Sequence, residues 1–538
     1  MFIKPNPLMA VGAMVCNLAL TMPALAASNG AERADTATPI KHLIVIFDEN
    51  VSFDHYFATY PYATNPSGEP PFKAKADTPR ADNLLGGGLL DQNPNSTQPF
   101  RMDTGVASVT CDQNHSYTPE QEATDHGLMD KYPQSTGSGS TASSPCNDYG
   151  KGTGVVMGYF DGNTVTALWN YAQAYAMSDN SYGTMFGPSA VGALNLIAGT
   201  TATATLVPTK PNGAAASAAG SIASGAPSGA IIGDPRPGGD ECVLTNPGLQ
   251  GTTMVTMAGA NVGDLLNAKG LTWGWFQGGF APTGFDANGR AICGAHHVGL
   301  AGDDAVETVG DYIPHHEPFQ YFVSTQNLHH VLPKDPALIG TSGDGANHQY
   351  DLSAFWTALG EDRLPSVTYL KAAAYQDGHP GYSDPIDEQA FVVGVVNAVQ
   401  NSPYWKETAI VIAYDDSDGW YDHVLGPIVN QSAVTDDALV APGNCGSAST
   451  ATQGRCGYGP RLPLLLISPY AKQNYVDHRT IDQSSILRFI EDNWDLGRIG
   501  GDSSDTKAGL LNGLFDFGAE HRAPRVILDP ATGIVLSQ

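Results

Sequence analysis

Three short runs of apolar, mostly β-branched or aromatic residues constrain this chain more than anything else in it. Residues 41–47 (Lys-His-Leu-Ile-Val-Ile-Phe), 408–414 (Thr-Ala-Ile-Val-Ile-Ala-Tyr) and 462–467 are continuous rather than alternating. A strand with one wet face alternates, whereas a continuous run is buried on both faces, as in a parallel sheet covered by helices. Residues 367–370 read as a further strand. Helical spacing lies between these runs. Residues 387–400 place Ala390, Phe391, Val393, Val396 and Val399 on overlapping faces, and residues 480–496 carry Ile481, Ile486, Leu487, Ile490 and Trp494 with Asp482 in the first turn. Asn163 is the expected cap of a helix bearing Val165, Leu168, Trp169 and Ala172. Strands alternating with helices predict an α/β fold with a mainly parallel central sheet flanked by helices. Residues 135–144, 200–233 and 446–454 are small, polar and aperiodic, and read as surface loops. The middle stretch is the expected start of a smaller inserted region spanning about 200–337.

Charge narrows the partners. Among 538 residues, 54 Asp and Glu face 26 Lys and Arg, for a net charge of −28. Such a surface repels phosphate backbones and argues against nucleic-acid binding. A small anionic substrate stays compatible, because a bound cation inverts the field locally. Lys4, the apolar residues 8–20 and the small-x-small Ala24-Leu25-Ala26 predict a signal peptide over residues 1–26. The chain is therefore expected to be exported, to the periplasm or beyond, with residues 27–538 as the mature protein and no transmembrane segment in it. Cys16 falls in the signal. Cys111, Cys146, Cys242, Cys293, Cys445 and Cys456 remain, an even count that suits disulfides in an exported chain. Six cysteines allow 15 pairings. The expected set is the sequential one, since each such pair brackets a loop rich in small residues.

In open α/β sheets, ligands bind beyond the carboxyl ends of the strands. Two of the buried runs end in acidic clusters, Asp48-Glu49-Asn50 and Asp415-Asp416-Ser417-Asp418-Gly419. Either alone is ordinary turn or cap chemistry. Together at one sheet edge they would repel each other unless a cation joins them, and their oxygens suit one hard divalent ion (Mg²⁺, Ca²⁺, Mn²⁺ or iron). Gly187-Pro188-Ser189 enters a second helical pattern, where Ser189 is either a cap or a nucleophile beside free backbone N–H groups. Fifteen histidines include the pairs His296-His297, His315-His316 and His329-His330. Neighbours on a strand point apart, so a pair serves one site only from irregular backbone, which Pro314 and Pro318 favour around His315-His316. His379 lies in a Gly/Pro loop after the 367–370 strand, and His115 lies near Cys111. Singly, each is more often structural; together they could hold phosphate oxygens and protonate a leaving alcohol.

These residues resemble a known family. His42-Leu43-Ile44-Val45-Ile46-Phe47-Asp48-Glu49-Asn50-Val51-Ser52-Phe53-Asp54-His55-Tyr56-Phe57 is similar to the opening motif of the bacterial phosphoesterase family of acid phosphatase A and non-haemolytic phospholipase C. The resemblance continues at Met177-Ser178-Asp179-Asn180, Gly187-Pro188-Ser189, His315-His316-Glu317-Pro318-Phe319-Gln320 and Tyr414-Asp415-Asp416-Ser417-Asp418-Gly419-Trp420-Tyr421-Asp422-His423. It ends near Arg461-Leu462-Pro463 to Asp492-Asn493-Trp494. It implies an alkaline-phosphatase-like core with a smaller appended region. It also implies metal ligands Glu49, Asn50, Asp415 and Asp416, with Ser189 as the nucleophile touching the metal. His115, His315, His316 and His379 then surround the transferred phosphoryl group, with a mildly acidic optimum. The phospholipases typically carry threonine at the nucleophile position, Glu-Asn-Asp after the first aspartate of the late motif, and extra C-terminal β modules. Ser189, Asp416-Ser417-Asp418 and the short stretch after Trp494 instead resemble the acid phosphatase branch.

The expectation is therefore an exported, metal-dependent acid phosphatase acting on small phosphate monoesters through a phosphoserine. Its rivals are a phospholipase C acting on phosphatidylcholine-type diesters, with phospholipid as substrate, and a non-catalytic, metal-stabilised surface-binding protein. A sulfatase is disfavoured, since the Cys/Ser-x-Pro-x-Arg pattern is missing around Ser189.

Overall fold

The computed structural model describes Met1 and residues 34–103, 109–298, 309–447, 453–518 and 522–538. The expected signal peptide and part of the 446–454 loop thus lie outside the described residues. The site-bearing strands are β1 (His42–Asp48), β2 (Ala176–Ser178), β3 (Trp273–Gln277), β4 (Gln349–Asp351), β5 (Val367–Lys371), β6 (Thr408–Tyr414), β7 (Leu464–Ile467) and β8 (Tyr475–Asp477). They form one eight-stranded sheet in the order β4-β3-β5-β1-β6-β7-β2-β8. Every pairing is parallel except those of β7, which runs against both β6 and β2. The α/β fold with a mainly parallel sheet is thus present. All seven residues of β1 and of β6 are buried, which explains their unbroken apolar runs.

Helices α1 (Phe53–Phe57), α2 (Thr166–Ala174), α3 (Ser189–Ala198), α4 (Pro385–Asn401) and α5 (Gln483–Trp494) frame the site. Two caps differ from expectation. Val165 occupies the cap position of α2, while Asn163 binds the loop at residues 65–70 through Asn65 and Pro70. Asp482 is the cap of α5 rather than a first-turn residue, and Asp384 caps α4. Residues 204–257 carry a separate four-stranded sheet, whereas residues 273–277 return to the central sheet as β3. The three cystine bridges are the sequential ones, Cys111–Cys146, Cys242–Cys293 and Cys445–Cys456. Among the described residues no helix is long and apolar enough to cross a membrane.

The register fixes the site's position. Asp48 lies opposite Tyr414, so Glu49-Asn50 and Asp415-Asp416 leave the sheet side by side. Ile46 lies opposite Leu370, which brings Lys371 to the same edge. Below the edge, a buried charge cluster joins the two strand exits. Ser52 Oγ donates to Tyr421 O at 2.9 Å, and Asp54 N donates to Asp422 Oδ2 at 3.1 Å. Arg461 donates from Nε and Nη2 to Asp422 at 3.1 Å and lies 3.4 Å from Asp54. His423 pairs with Asp54 and Asp82.

Removing Arg461 leaves Asp422 without its salt bridge and Asp54 with His423 alone, which costs far more than losing a surface ion pair. Arg461→Met should lower the unfolding free energy by about 3–5 kcal/mol, measured by urea titration. The cluster also carries a pH signature. Burial is the largest influence on His423 and works against its charge, yet Asp54 and Asp82 raise it from 6.5 to about 10. A raised imidazole stabilises fully below its unfolded value and loses that contribution as pH climbs through the folded one. The urea midpoint should therefore decline from about pH 7 to about pH 10, and His423→Asn should flatten that decline.

Candidate functional site

Ser189 is the first residue of α3, behind Pro188 at the cap position, and its side chain makes no cap bond. Its hydroxyl is instead buried against the two strand exits. Oγ lies 3.1 Å from Glu49 Oε2, 3.2 Å from Asp416 Oδ2 and 3.4 Å from Asn50 Oδ1. One hydroxyl proton serves one acceptor. Three acceptors around it leave lone pairs facing lone pairs, an arrangement that a cation resolves. Asp415 completes the group. Its Oδ1 accepts from Asn50 N at 2.9 Å and Asp416 N at 2.7 Å, while Oδ2 is buried without a partner. Two carboxylates, one amide oxygen and one hydroxyl meeting beside an unpartnered carboxylate oxygen fit a hard divalent ion.

The acids respond to this crowding. Burial, then Glu49, pushes Asp415 well above the usual carboxylate range, and burial, then Asp415, does the same to Asp416. Glu49 goes the other way. Burial opposes its charge, but His316 and Lys371 outweigh burial and hold it well below that range. Lys371 Nζ contacts Glu49 Oε1 directly, and His316 Nδ1 lies 3.0 Å from the same oxygen. Burial lowers His316 to about 4, so the neutral ring donates from Nδ1 and leaves Nε2 a bare, buried acceptor.

Three further histidines stand near the same sheet edge. Asn50 Nδ2 donates to Asp418 Oδ1 at 3.0 Å, and His115 Nδ1 lies 3.1 Å from that oxygen. Burial works against the charge of His115, but Asp416 and Asp418 raise it well above the usual imidazole value. His379 faces His115 with ring centroids 6.1 Å apart and stacks on Tyr382 at 4.2 Å. His315 stands beside His316 and approaches Asp234 at 3.9 Å, while Asp234 Oδ1 accepts Ala190 N at 2.9 Å at the start of α3. Glu49, Asn50, Ser189, Asp415, Asp416, His115, His315, His316 and His379 therefore gather around one edge of the sheet. Two groups of ligand-type side chains lie within it, Glu49-His316-Asp377 and Asp112-His115-His379-Asp418. A groove of about 1040 Å³ opens beside the second group, walled by Asp112, the Cys111–Cys146 bridge and Gly381.

Several members carry no role in the sequence reading. Lys371 closes a strand that is apolar up to Leu370, and a charge ending a buried run was the available signal. Asp418 stands within the late acidic cluster, but its bridge from Asn50 to His115 needs the fold. Asp377 and Asp234 come from loops with no motif of their own. Gly192 shapes the site as well: a Cβ there would lie 2.0 Å from the Asp415 carbonyl oxygen, so only glycine lets α3 approach β6 this closely.

The profile of the phosphoesterase family matches residues 40–497. The chain is 30% identical over 234 residues to the non-hemolytic phospholipase C of Burkholderia pseudomallei, covering 42% of this chain and 31% of that protein. It is 22% identical over 471 residues to the non-hemolytic phospholipase C of Pseudomonas aeruginosa, covering 84% of this chain and 53% of that one. It thus spans from a third to about half the length of these relatives. Among solved structures, a protein in the alkaline phosphatase superfamily from Vibrio parahaemolyticus aligns over 79% of both chains at 12% identity with a TM-score of 0.26.

The close approach of α3 yields a direct test. Gly192→Ala should displace the Ser189 end of α3, destabilise the protein by about 1–3 kcal/mol and cut activity sharply. Thermal melts and steady-state rates on a phosphate ester would measure both; unchanged rates would free α3 from this constraint.

Proposed function

Because this chain belongs to the phosphoesterase family, we propose that it is an exported, metal-dependent phosphomonoesterase that works through a phosphoserine. The observation that carries this reading is the Ser189 hydroxyl held among three acceptor oxygens from two strand ends. Glu49, Asn50, Ser189, Asp415 and Asp416 would hold one divalent cation. When bound, that ion supplies Lewis acidity that lowers the hydroxyl pKa.

The chain's own groups do the rest. Ser189 Oγ attacks phosphorus, its proton passing to Asp416 Oδ2, and the Oγ–P bond forms as the ester P–O bond breaks. His115, kept protonated by Asp416 and Asp418, gives its proton to the departing alcohol, which leaves past His379 into the groove. His315 receives the non-bridging oxygens, joined by His316 and His379 once each carries a proton on Nε2, since their Nδ1 atoms face Glu49 and Pro380 O. Water then gives a proton to the now neutral His115 and attacks phosphorus, the Oγ–P bond breaks as Oγ regains its proton from Asp416, and inorganic phosphate is released. Ser189 and the Asp416-Ser417-Asp418 run support a monoesterase of the acid phosphatase A branch. The names of the similar proteins favour the second reading, a phospholipase C on phosphatidylcholine-type lipids. We further take residues 1–26 as a signal peptide and residues 27–538 as one phosphoesterase domain with a smaller inserted region around 200–337, within which residues 273–277 return to the central sheet as β3; the three cystines agree with export.

Ser189→Ala should cut phosphate release from an aryl phosphate on the order of 10³-fold or more, with an unchanged melting temperature. Turnover that survives would remove Ser189 from the role. Phosphocholine release from phosphatidylcholine vesicles, with little monoester cleavage, would select the phospholipase reading. Chelation should abolish turnover and lower the melting temperature, and a single equivalent of a divalent cation should restore both. Elemental analysis of the active protein would identify that cation.

A further inference from the structure

Arg236 has no place in the chemistry above, yet its surroundings are unusual. It lies on the short strand Arg236–Pro237, fixed by its backbone N–H to Thr253 O at 2.8 Å. Two residues earlier, Asp234 clamps this segment to the site. Its Oδ1 accepts Ala190 N at 2.9 Å, beside Ser189, and its Oδ2 lies 3.9 Å from His315 Nε2. The Arg236 guanidinium has Nε and Nη1 buried, and neither has an acceptor. It makes no ion pair with any carboxylate among the described residues. Charged and titratable groups near it include Asp234, Tyr321, Tyr382 and Tyr312. Tyr382 is the ring stacked on His379. The strand that carries Arg236 packs against the Pro314–His316 turn, so the side chain belongs to the segment that borders the site.

The other buried arginine near this edge shows what a purely structural one looks like. Arg461 spends its N–H groups on Asp422, Asp82 O and Asp179 O. A buried guanidinium with two idle N–H groups is costly, and a fold retains one where the acceptor arrives with a ligand. Asp234, two residues away, gives Oδ1 to Ala190 N and forms no salt bridge with Arg236 among the described residues. We infer that Arg236 anchors an anionic oxygen of the phosphoryl group being transferred from the substrate, an inference that rests on the phosphoester reading above. A monoester carries two negative charges and three terminal oxygens, whereas a diester carries one charge and two. An extra fixed cation therefore rewards the monoester more.

The test uses the metal-replete protein. Binding of inorganic phosphate is measured by calorimetry for wild type, Arg236→Met and Arg236→Lys, beside steady-state rates on an aryl phosphate and the matching diester. In Arg236→Met, the phosphate Kd and the monoester KM should each rise at least tenfold, with a smaller change in kcat and less than a threefold change in diester KM. Arg236→Lys should fall between Met and wild type. Phosphate affinity and monoester KM within twofold of wild type in Arg236→Met would overturn the inference. If that variant does not fold, Arg236→Lys decides: a threefold or larger rise in phosphate Kd at an unchanged melting temperature supports the anchor, and an unchanged Kd overturns it. Calorimetry needs no turnover, so a wild type that ignores monoesters would sink the phosphomonoesterase reading while leaving Arg236 still to be judged by phosphate binding.

Discussion

Everything at this site depends on forcing like charges together. β1 and β6 run in parallel, fully buried, with Asp48 opposite Tyr414, so the residues that follow have no freedom to separate. Asp48, Asp415, Asp416 and Asp377 are all pushed well above the ordinary carboxylate range, with burial as the largest cause in each. A fold gains nothing in stability from such a cluster. It is tolerable because counter-charges are built around it: Lys371 on Glu49, backbone N–H groups of Asn50 and Asp416 on Asp415, and His316 behind. These partners serve Glu49 fully and the aspartates only in part. The remaining deficit is what a divalent cation would fill, and it couples ion uptake to loss of protons from these acids.

Strands β1, β5 and β6 are legible in the sequence because burial on both faces leaves an unbroken apolar run. The acidic clusters are legible because they follow those runs directly. The reversed direction of β7 is not, since residues 462–467 are as apolar as a parallel strand and the run itself carries no sign of direction. Asn163 misleads for a related reason. Its residue type suits a cap, but its amide is better used holding Asn65 and Pro70. The grouping of Ser189 and the histidines with the acids came from family resemblance, because local patterns cannot relate residue 189 to residue 416. Lys371, Asp377 and Asp234 stayed silent because each takes its meaning from a partner distant in the chain.

The support beneath the site is as specific as the site. Ser52, Asp54, Asp422, His423 and Arg461 join the segment after Asn50 to the segment after Asp418. Gln483, from the first turn of α5, donates to the carbonyls of Tyr414 and Asp415 and accepts Thr184 N, so the end of β6 and the approach to α3 share one side chain. Gly192 sets how close α3 comes. Helices α1 and α5 thus hold the ends of β1 and β6 through buried polar groups whose loss leaves a partner unsatisfied, while α3 is set by close approach.

Two unlike sets of donors meet at the sheet edge that holds Ser189. One is oxygen, from Glu49, Asn50, Asp415 and Asp416. The other is nitrogen, from His115, His315, His316, His379 and, two residues from the Asp234 clamp, Arg236. A phosphate ester on a chain of net charge −28 would be repelled almost anywhere else on the surface. The oxygen side suits a cation that lowers the hydroxyl pKa, and the nitrogen side suits the oxygens of the group being transferred. Neither side alone would serve a displacement at phosphorus. The oxygens without the nitrogens would hold an ion and repel the substrate; the nitrogens without the oxygens would hold phosphate beside a serine too weakly acidic to attack it. The division of donors at one sheet edge is what ties the fold, through the register of β1 and β6, to the proposed chemistry.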